Sequence, residues 1–131
     1  MCIQRGDTPL HDAVRRDNLE VCQALIAGGA DCNIKNERGD TPLHDAARRG
    51  TLKVCQALIA GGADCKIKNE RGDTPLHEAV WGGIEVCQAL IAGGADCKIK
   101  NEAGKTPLDR ARFRHHHAVE ELLEKATPKP S

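Results

Sequence analysis

The stretch Val54-Cys-Gln-Ala-Leu-Ile-Ala-Gly-Gly-Ala-Asp-Cys-Lys-Ile-Lys-Asn-Glu70 recurs letter for letter at Val86–Glu102, and at Val21–Glu37 with Asn33 as its only change. Between the copies, Gly-Asp-Thr-Pro-Leu-His begins at Gly6, Gly39 and Gly72, and a relative, Gly-Lys-Thr-Pro-Leu-Asp, begins at Gly104. Successive starts are 33, 33 and 32 residues apart. Self-similarity at that period marks a solenoid of stacked units. In such an array each unit buries its apolar face against its neighbours, and stability is roughly a sum of unit and interface terms.

Asn36 to Lys68 serves as the type unit. Asn36-Glu37-Arg38-Gly39 forms a polar turn, in which Gly supplies a backbone angle that other residues resist. Thr41 followed by Pro42 starts a helix: the Thr oxygen caps free backbone N–H groups and Pro fits the first helical position. That first helix is predicted from Pro42 to about Arg49, with Leu43, Ala46 and Ala47 on its buried side and Gly50 at its end. A second helix is predicted from Leu52 to about Ala60, with Leu52, Val54, Cys55, Leu58 and Ile59 apolar. Gly61-Gly62 then stops it through a left-handed residue.

This unit resembles the ankyrin repeat, whose Thr-Pro-Leu-His turn-helix and Gly-Ala-Asp exit are both present, over roughly Arg5 to Lys125. The resemblance implies an all-α solenoid of L-shaped helix-turn-helix units with β-hairpin-like turns, stacked into a curved array of about four repeats. The expected boundaries are about 4–35, 36–68, 69–100 and a C-terminal capping repeat at 101–126, all in one domain 1–126, with a disordered tail at 127–131. In the last unit Asp109 replaces the motif His, and Ala118 to Lys125 puts charge on the outer face, as a terminal repeat requires. At the other end only Met1–Arg5 precedes the first motif. Leu10, Ala13 and Leu25 are therefore expected to present an uncovered apolar face, masked by self-association or by further repeats unless the first repeat frays.

Aromatic residues make up 2% of the chain and apolar residues 40%, so the interior must be built from Leu, Ile, Val, Ala and Cys. Nineteen basic residues balance nineteen acidic ones, which gives no overall pull toward nucleic acid or membrane. With no long apolar run and no signal-peptide pattern, the chain is expected to be soluble and cytoplasmic. The seven cysteines fit that expectation. Cys22, Cys55 and Cys87 hold one slot of the repeat, and Cys32, Cys65 and Cys97 another. Stacked helices lie about 8–10 Å apart, too far for the roughly 7 Å Cα limit of a disulfide. Equivalent cysteines should be free, small and buried, which suits a reducing compartment.

In a scaffold of near-identical units, a partner is encoded where the units differ. The resemblance implies that turn tips and first helices line a concave binding face. One row there reads Arg15, Arg48, Trp81, Phe113, and the next reads Arg16, Arg49, Gly82, Arg114. The only Trp and only Phe thus share a slot in adjacent repeats. Trp and Arg are the residue types most enriched at binding hot spots. The alternative for Trp81 is local packing that fills space left by a short loop at Gly82-Gly83. Two further rows are acidic and then reverse sign: Asp7, Asp40, Asp73, Lys105 and Asp12, Asp45, Glu78, Arg110. The expected partner-binding set is Arg15, Arg48, Arg49, Trp81, Phe113 and Arg114, with Asp40, Asp45, Asp73 and Glu78 setting polarity.

His11, His44 and His77 come with the motif, and the resemblance implies a structural hydrogen-bonding role for them. His115-His116-His117 could present two imidazoles from a loop, but without a Cys-x-x-Cys pair no structural metal site is expected. Arg-Gly-Asp occurs at Arg5–Asp7, Arg38–Asp40 and Arg71–Asp73, yet its Gly and Asp are explained by the repeat. No nucleophile beside a base, phosphate-cradling loop or paired-carboxylate pocket is recognisable, so no enzyme activity and no cofactor are expected. The expected function is a non-catalytic protein–protein interaction module that takes a protein or peptide on its concave face. Neither nucleic acid nor membrane is an expected partner. The alternative is a segment of a longer solenoid, or a scaffold that self-associates through its N-terminal repeat.

Overall fold

The computed structural model describes residues 6–126, so the expected tail at 127–131 and the segment 1–5 lie outside the described residues. Eight helices follow one another: α1 (Pro9–Arg15), α2 (Leu19–Ala27), α3 (Pro42–Arg49), α4 (Leu52–Ala60), α5 (Pro75–Gly82), α6 (Ile84–Ala92), α7 (Pro107–Phe113) and α8 (His117–Ala126). No strand occurs among the described residues. The expected bounds of the type unit, Pro42–Arg49 and Leu52–Ala60, are those observed.

Each unit starts and stops for chemical reasons. Thr8, Thr41 and Thr106 accept a hydrogen bond from the backbone N–H three residues on, as N-cap residues do. The residue at that third position answers, accepting from the Thr backbone N–H: His11 in α1, His44 in α3, His77 in α5 and Asp109 in α7. At the far end of α4, Ala63 N–H donates to Leu58 O and Gly62 N–H to Ile59 O. Gly62 has φ +99°. These are the two bonds of a Schellman stop, which needs a left-handed residue there.

The helices form two layers. First helices α1, α3, α5 and α7 pack in succession, and second helices α2, α4, α6 and α8 do the same behind them. Leu43, Ala46, Ala47, Leu76, Ala79 and Val80 fill the first layer, and Val54, Cys55, Leu58, Val86, Cys87 and Leu90 the second, all at 0–1% exposure. In α8 Val119 and Leu123 are buried while Glu121 and Lys125 pair across one turn on the outside. Truncating one of the buried leucines to Ala should cost about 2–5 kcal/mol.

One expectation needs correction. Leu10 and Ala13 do not form an uncovered face: they are 1% and 3% exposed, because α1 packs against both α2 and α3, and only Leu25 of the three is partly buried. At the shortened third turn the backbones of two repeats come close together. Gly83 closes α5 and opens α6 by itself, and Gly82 lies against the turn of the preceding repeat. A Cβ on Gly82 would meet Gly50 Cα at 2.9 Å and Ala47 O closer still. The row position that is Arg16, Arg49 and Arg114 elsewhere must be Gly here for that approach to exist.

No disulfide joins the six described cysteines, and all six are buried. Burial pushes the thiols of Cys55 and Cys87 up to about 12, so they are packing groups and poor nucleophiles at neutral pH.

Candidate functional site

The first helices carry a continuous polar seam. At each turn tip an Asn orders the backbone: Asn36 Oδ1 accepts from Arg38 and Asp40 N–H groups, and Asn69 Oδ1 accepts from Arg71 and Asp73 N–H groups. The amide of the same Asn reaches back one repeat. Asn36 donates to Asp7, Asn69 to Asp40 and Asn101 to Asp73, at 2.8–3.0 Å. Asp40 and Asp73 are each only 1% exposed. The carboxylates of the Arg-Gly-Asp triplets are therefore turned inward and used to bind one repeat to the next.

Arginines complete the charge balance. Arg15 pairs with Asp7 of its own repeat and, at 3.1 Å, with Asp45 of the next. Arg48 pairs with Asp40 at 3.3 Å, Asp45 at 3.1 Å and Glu78 at 2.6 Å. Burial works against the Arg48 charge, but the hydrogen bond and field of Glu78, with Asp40 and Asp45, hold its guanidinium above its ordinary value. Burial pushes the Asp45 carboxyl up, opposed by Arg15 and Arg48.

The third rung is inverted. Trp81 occupies the arginine slot and Arg110 the acidic one, and Arg110 turns back to Asp73 at 3.2 Å and to the His77 carbonyl at 3.2 Å. The displaced arginine function is thus supplied from the following repeat.

The inversion leaves Trp81 free of ion-pair duty, and it stands 47% exposed. Arg114 lays its guanidinium over the indole, 3.7 Å from the ring centroid, in a cation–π contact. Beside it lies a recess of about 410 Å³ lined by Arg48, Arg71, Asp73, Glu78, Trp81 and Arg110. A second recess of about 560 Å³, lined by Lys105, Asp109, Arg110, Arg112 and Phe113, shares Arg110 with the first. Phe113 is 84% exposed.

The motif histidines link the repeats from within. His44 Nδ1 accepts from Thr41 N–H at 3.1 Å, and its Nε2–H donates to the Asp73 carbonyl at 2.8 Å. His11 reaches the Asp40 carbonyl and His77 the Lys105 carbonyl in the same way. Burial lowers the pKa of His44 and His77, consistent with a neutral ring whose Nδ1 faces a donor. Asp109 keeps the capping half of this role with no cross-repeat donor. The Thr106 N–H bond holds its carboxyl below the usual range.

A family model described as ankyrin repeats in three copies matches residues 10–101 and again 54–130. The chain belongs to the ankyrin repeat family. No curated protein matches it. Ankyrin repeats are generally protein–protein interaction modules and typically non-catalytic. No helix among the described residues is long and apolar enough to cross a membrane.

Within this ankyrin array, the ten expected partner-binding residues fall into two groups. Trp81 and Arg114 meet, Phe113 lines the adjoining recess, and Arg49 is exposed at the end of α3. Asp40, Asp45, Asp73 and Glu78 are buried at 1–4% exposure in the ion-pair ladder, and Arg15 and Arg48 are engaged with them. The sequence reading missed Arg71 and Arg110 as lining residues. The sign reversal at Lys105 and Arg110 was the available signal: a break in a repeated row marks a place where the side chain serves something other than the repeat.

Proposed function

We propose that this ankyrin array is a non-catalytic module that holds a partner protein or peptide on the face formed by its first helices and turn tips, around Trp81, Phe113 and Arg114. One observation carries the proposal: the only Trp, half exposed, lies beneath a guanidinium, and the only Phe, which is almost fully exposed, holds the same slot in the next repeat. Large aromatics that neither fill the core nor close an end contribute little to folding. They are the side chains that dominate interface energetics. Arg15, Arg48, Asp40, Asp45, Asp73 and Glu78 act behind this surface, fixing its polarity and the position of the guanidinium groups, while Arg49 lies at its rim. Buried thiols without a disulfide suit a reducing, cytoplasmic setting.

The test is affinity capture with the wild type beside a Trp81→Ala/Phe113→Ala variant whose thermal melt is unchanged. Loss of about tenfold or more in the recovered partner supports the proposal. Equal recovery contradicts it.

A second reading is favoured by one feature. At the first repeat an apolar recess of about 220 Å³ is lined by Thr8, Pro9, Leu10, Leu25, Ala30, Asp31 and Ile34, with Ile34 43% exposed. Self-association through this end face would cover it. A concentration-independent monomer mass in sedimentation would exclude it.

A further inference from the structure

We propose that the occupant of the Trp81–Phe113 groove is an acidic peptide segment, one that places carboxylate side chains on either side of an apolar residue. This rests on the binding face proposed above and assigns its partner chemistry.

Charge in the groove is lopsided in a specific way. Its carboxylates are already satisfied from within: Glu78 accepts from Arg48, Asp73 from Arg110 and Asn101, and Asp109 from the Thr106 N–H. Several of its cations are not. Arg71 lines the first recess and Arg114 covers Trp81, and neither forms an ion pair with any described residue. Both are exposed, as is Lys105 at the next turn tip. A partner therefore meets uncommitted positive charge at the turn tips and at the end of the first helix, with aromatic surface between. Carboxylates flanking an apolar side chain complement that order, since the carboxylates meet guanidinium groups and the apolar group meets Trp81 or Phe113.

The first two repeats lack the aromatic half of this surface, since arginine holds the slot of Trp81 and Phe113 there. There Arg15 pairs with Asp7 and Asp45, and Arg48 with Asp40, Asp45 and Glu78, while Arg38 and Arg49 stand exposed with no aromatic residue between them. Only from Trp81 onward do exposed cations stand beside aromatic side chains, and Lys105 adds a further cation where the earlier turns carry Asp. A nucleic acid fits less well. Its evenly spaced phosphates would cross the exposed turn-tip glutamates Glu70 and Glu102, whereas a peptide can place charge only where the cations are.

A random peptide display library selected on the wild-type protein, with counter-selection on Trp81→Ala/Phe113→Ala, tests this. Recovered sequences should be enriched in Asp or Glu around Leu, Ile, Phe or Met. The leading peptide should lose about tenfold or more in affinity for an Arg71→Glu/Arg114→Glu variant and weaken as salt is raised. Both positions are exposed and outside the ladder, so the variant is expected to fold as wild type, which its melt verifies. A neutral or basic consensus overturns the acidic assignment while leaving the aromatic face standing as a binding surface. No sequence that depends on the aromatic pair overturns the face and the assignment together. Tighter binding of an oligothymidylate than of the leading peptide at physiological salt overturns the peptide assignment in favour of nucleic acid.

Discussion

Arg110 donates to both carboxylate oxygens of Asp73, at 3.2 and 3.4 Å, from one repeat further along the chain than the arginines that serve Asp7 and Asp40. Trp81 and Arg110 are therefore two halves of one exchange. Arg110→Glu should destabilise the fold by about 2–4 kcal/mol, since it leaves a buried carboxylate without its cation. Adding Trp81→Arg restores the arrangement of the earlier rungs and should recover at least about 1 kcal/mol. Urea unfolding of the two singles and the double reads this coupling, and additive losses would show that the exchange is incidental.

Arg48 is the most heavily used member of the ladder, with three carboxylate partners that are all nearly inaccessible. Arg48→Met should cost about 2–4 kcal/mol, discounted from a fully buried ion pair because the guanidinium itself is partly in water. Arg49→Met, one residue away and exposed with no ion pair to a described residue, should change stability by less than about 0.5 kcal/mol. Chemical denaturation of the two variants side by side measures the contrast.

Gly82 is held by a close approach to Gly50 and Ala47. Gly82→Ala should destabilise by about 1–3 kcal/mol through overpacking, although Ala is the better helix former. Gly82→Arg, which restores the residue found at this position in the other repeats, should be at least as costly. A thermal melt at or above that of the wild type for either variant would remove the packing explanation.

Acidification should loosen the stack through the motif histidines. Burial lowers the pKa of His44 and His77 in the folded state, below the 6.5 of the free side chain. The unfolded chain therefore takes up the proton first as pH falls. Their contribution is intact above about pH 6.5 and is lost progressively below it. Protonation also puts a hydrogen on Nδ1, which faces the Thr41 or Thr74 N–H, so the capping box and its cross-repeat link fail together. The urea midpoint should drop between about pH 7.5 and 5.5. Across the same range, His44→Gln/His77→Gln should show a shallower drop from a lower start.

Most of the fold was legible because the repeat states it several times. Thr-Pro, the paired glycines and the period 33 each have one physical meaning, and α3 and α4 begin and end where those signals place them. The core slots of Leu43, Leu58 and Cys55 were equally plain. The site was legible only in part. Trp81 and Phe113 stand out as exceptions to a row, and an exception can be seen in sequence. Whether Asp40 or Glu78 faces solvent or an arginine depends on how far one repeat is rotated against the next, and no single unit encodes that angle. The same holds for Gly82: its reason is a backbone in the preceding repeat, visible only once the two are stacked.

The claim that the first-helix face carries the partner is tested most directly by photo-crosslinking. Benzoylphenylalanine placed at Phe113, which is 84% exposed on that face, is compared with the same group at Lys53, exposed on the second-helix layer. A discrete protein adduct is expected from position 113, lost when Trp81→Ala is added, and none from position 53. An adduct from 53 with none from 113 would contradict it.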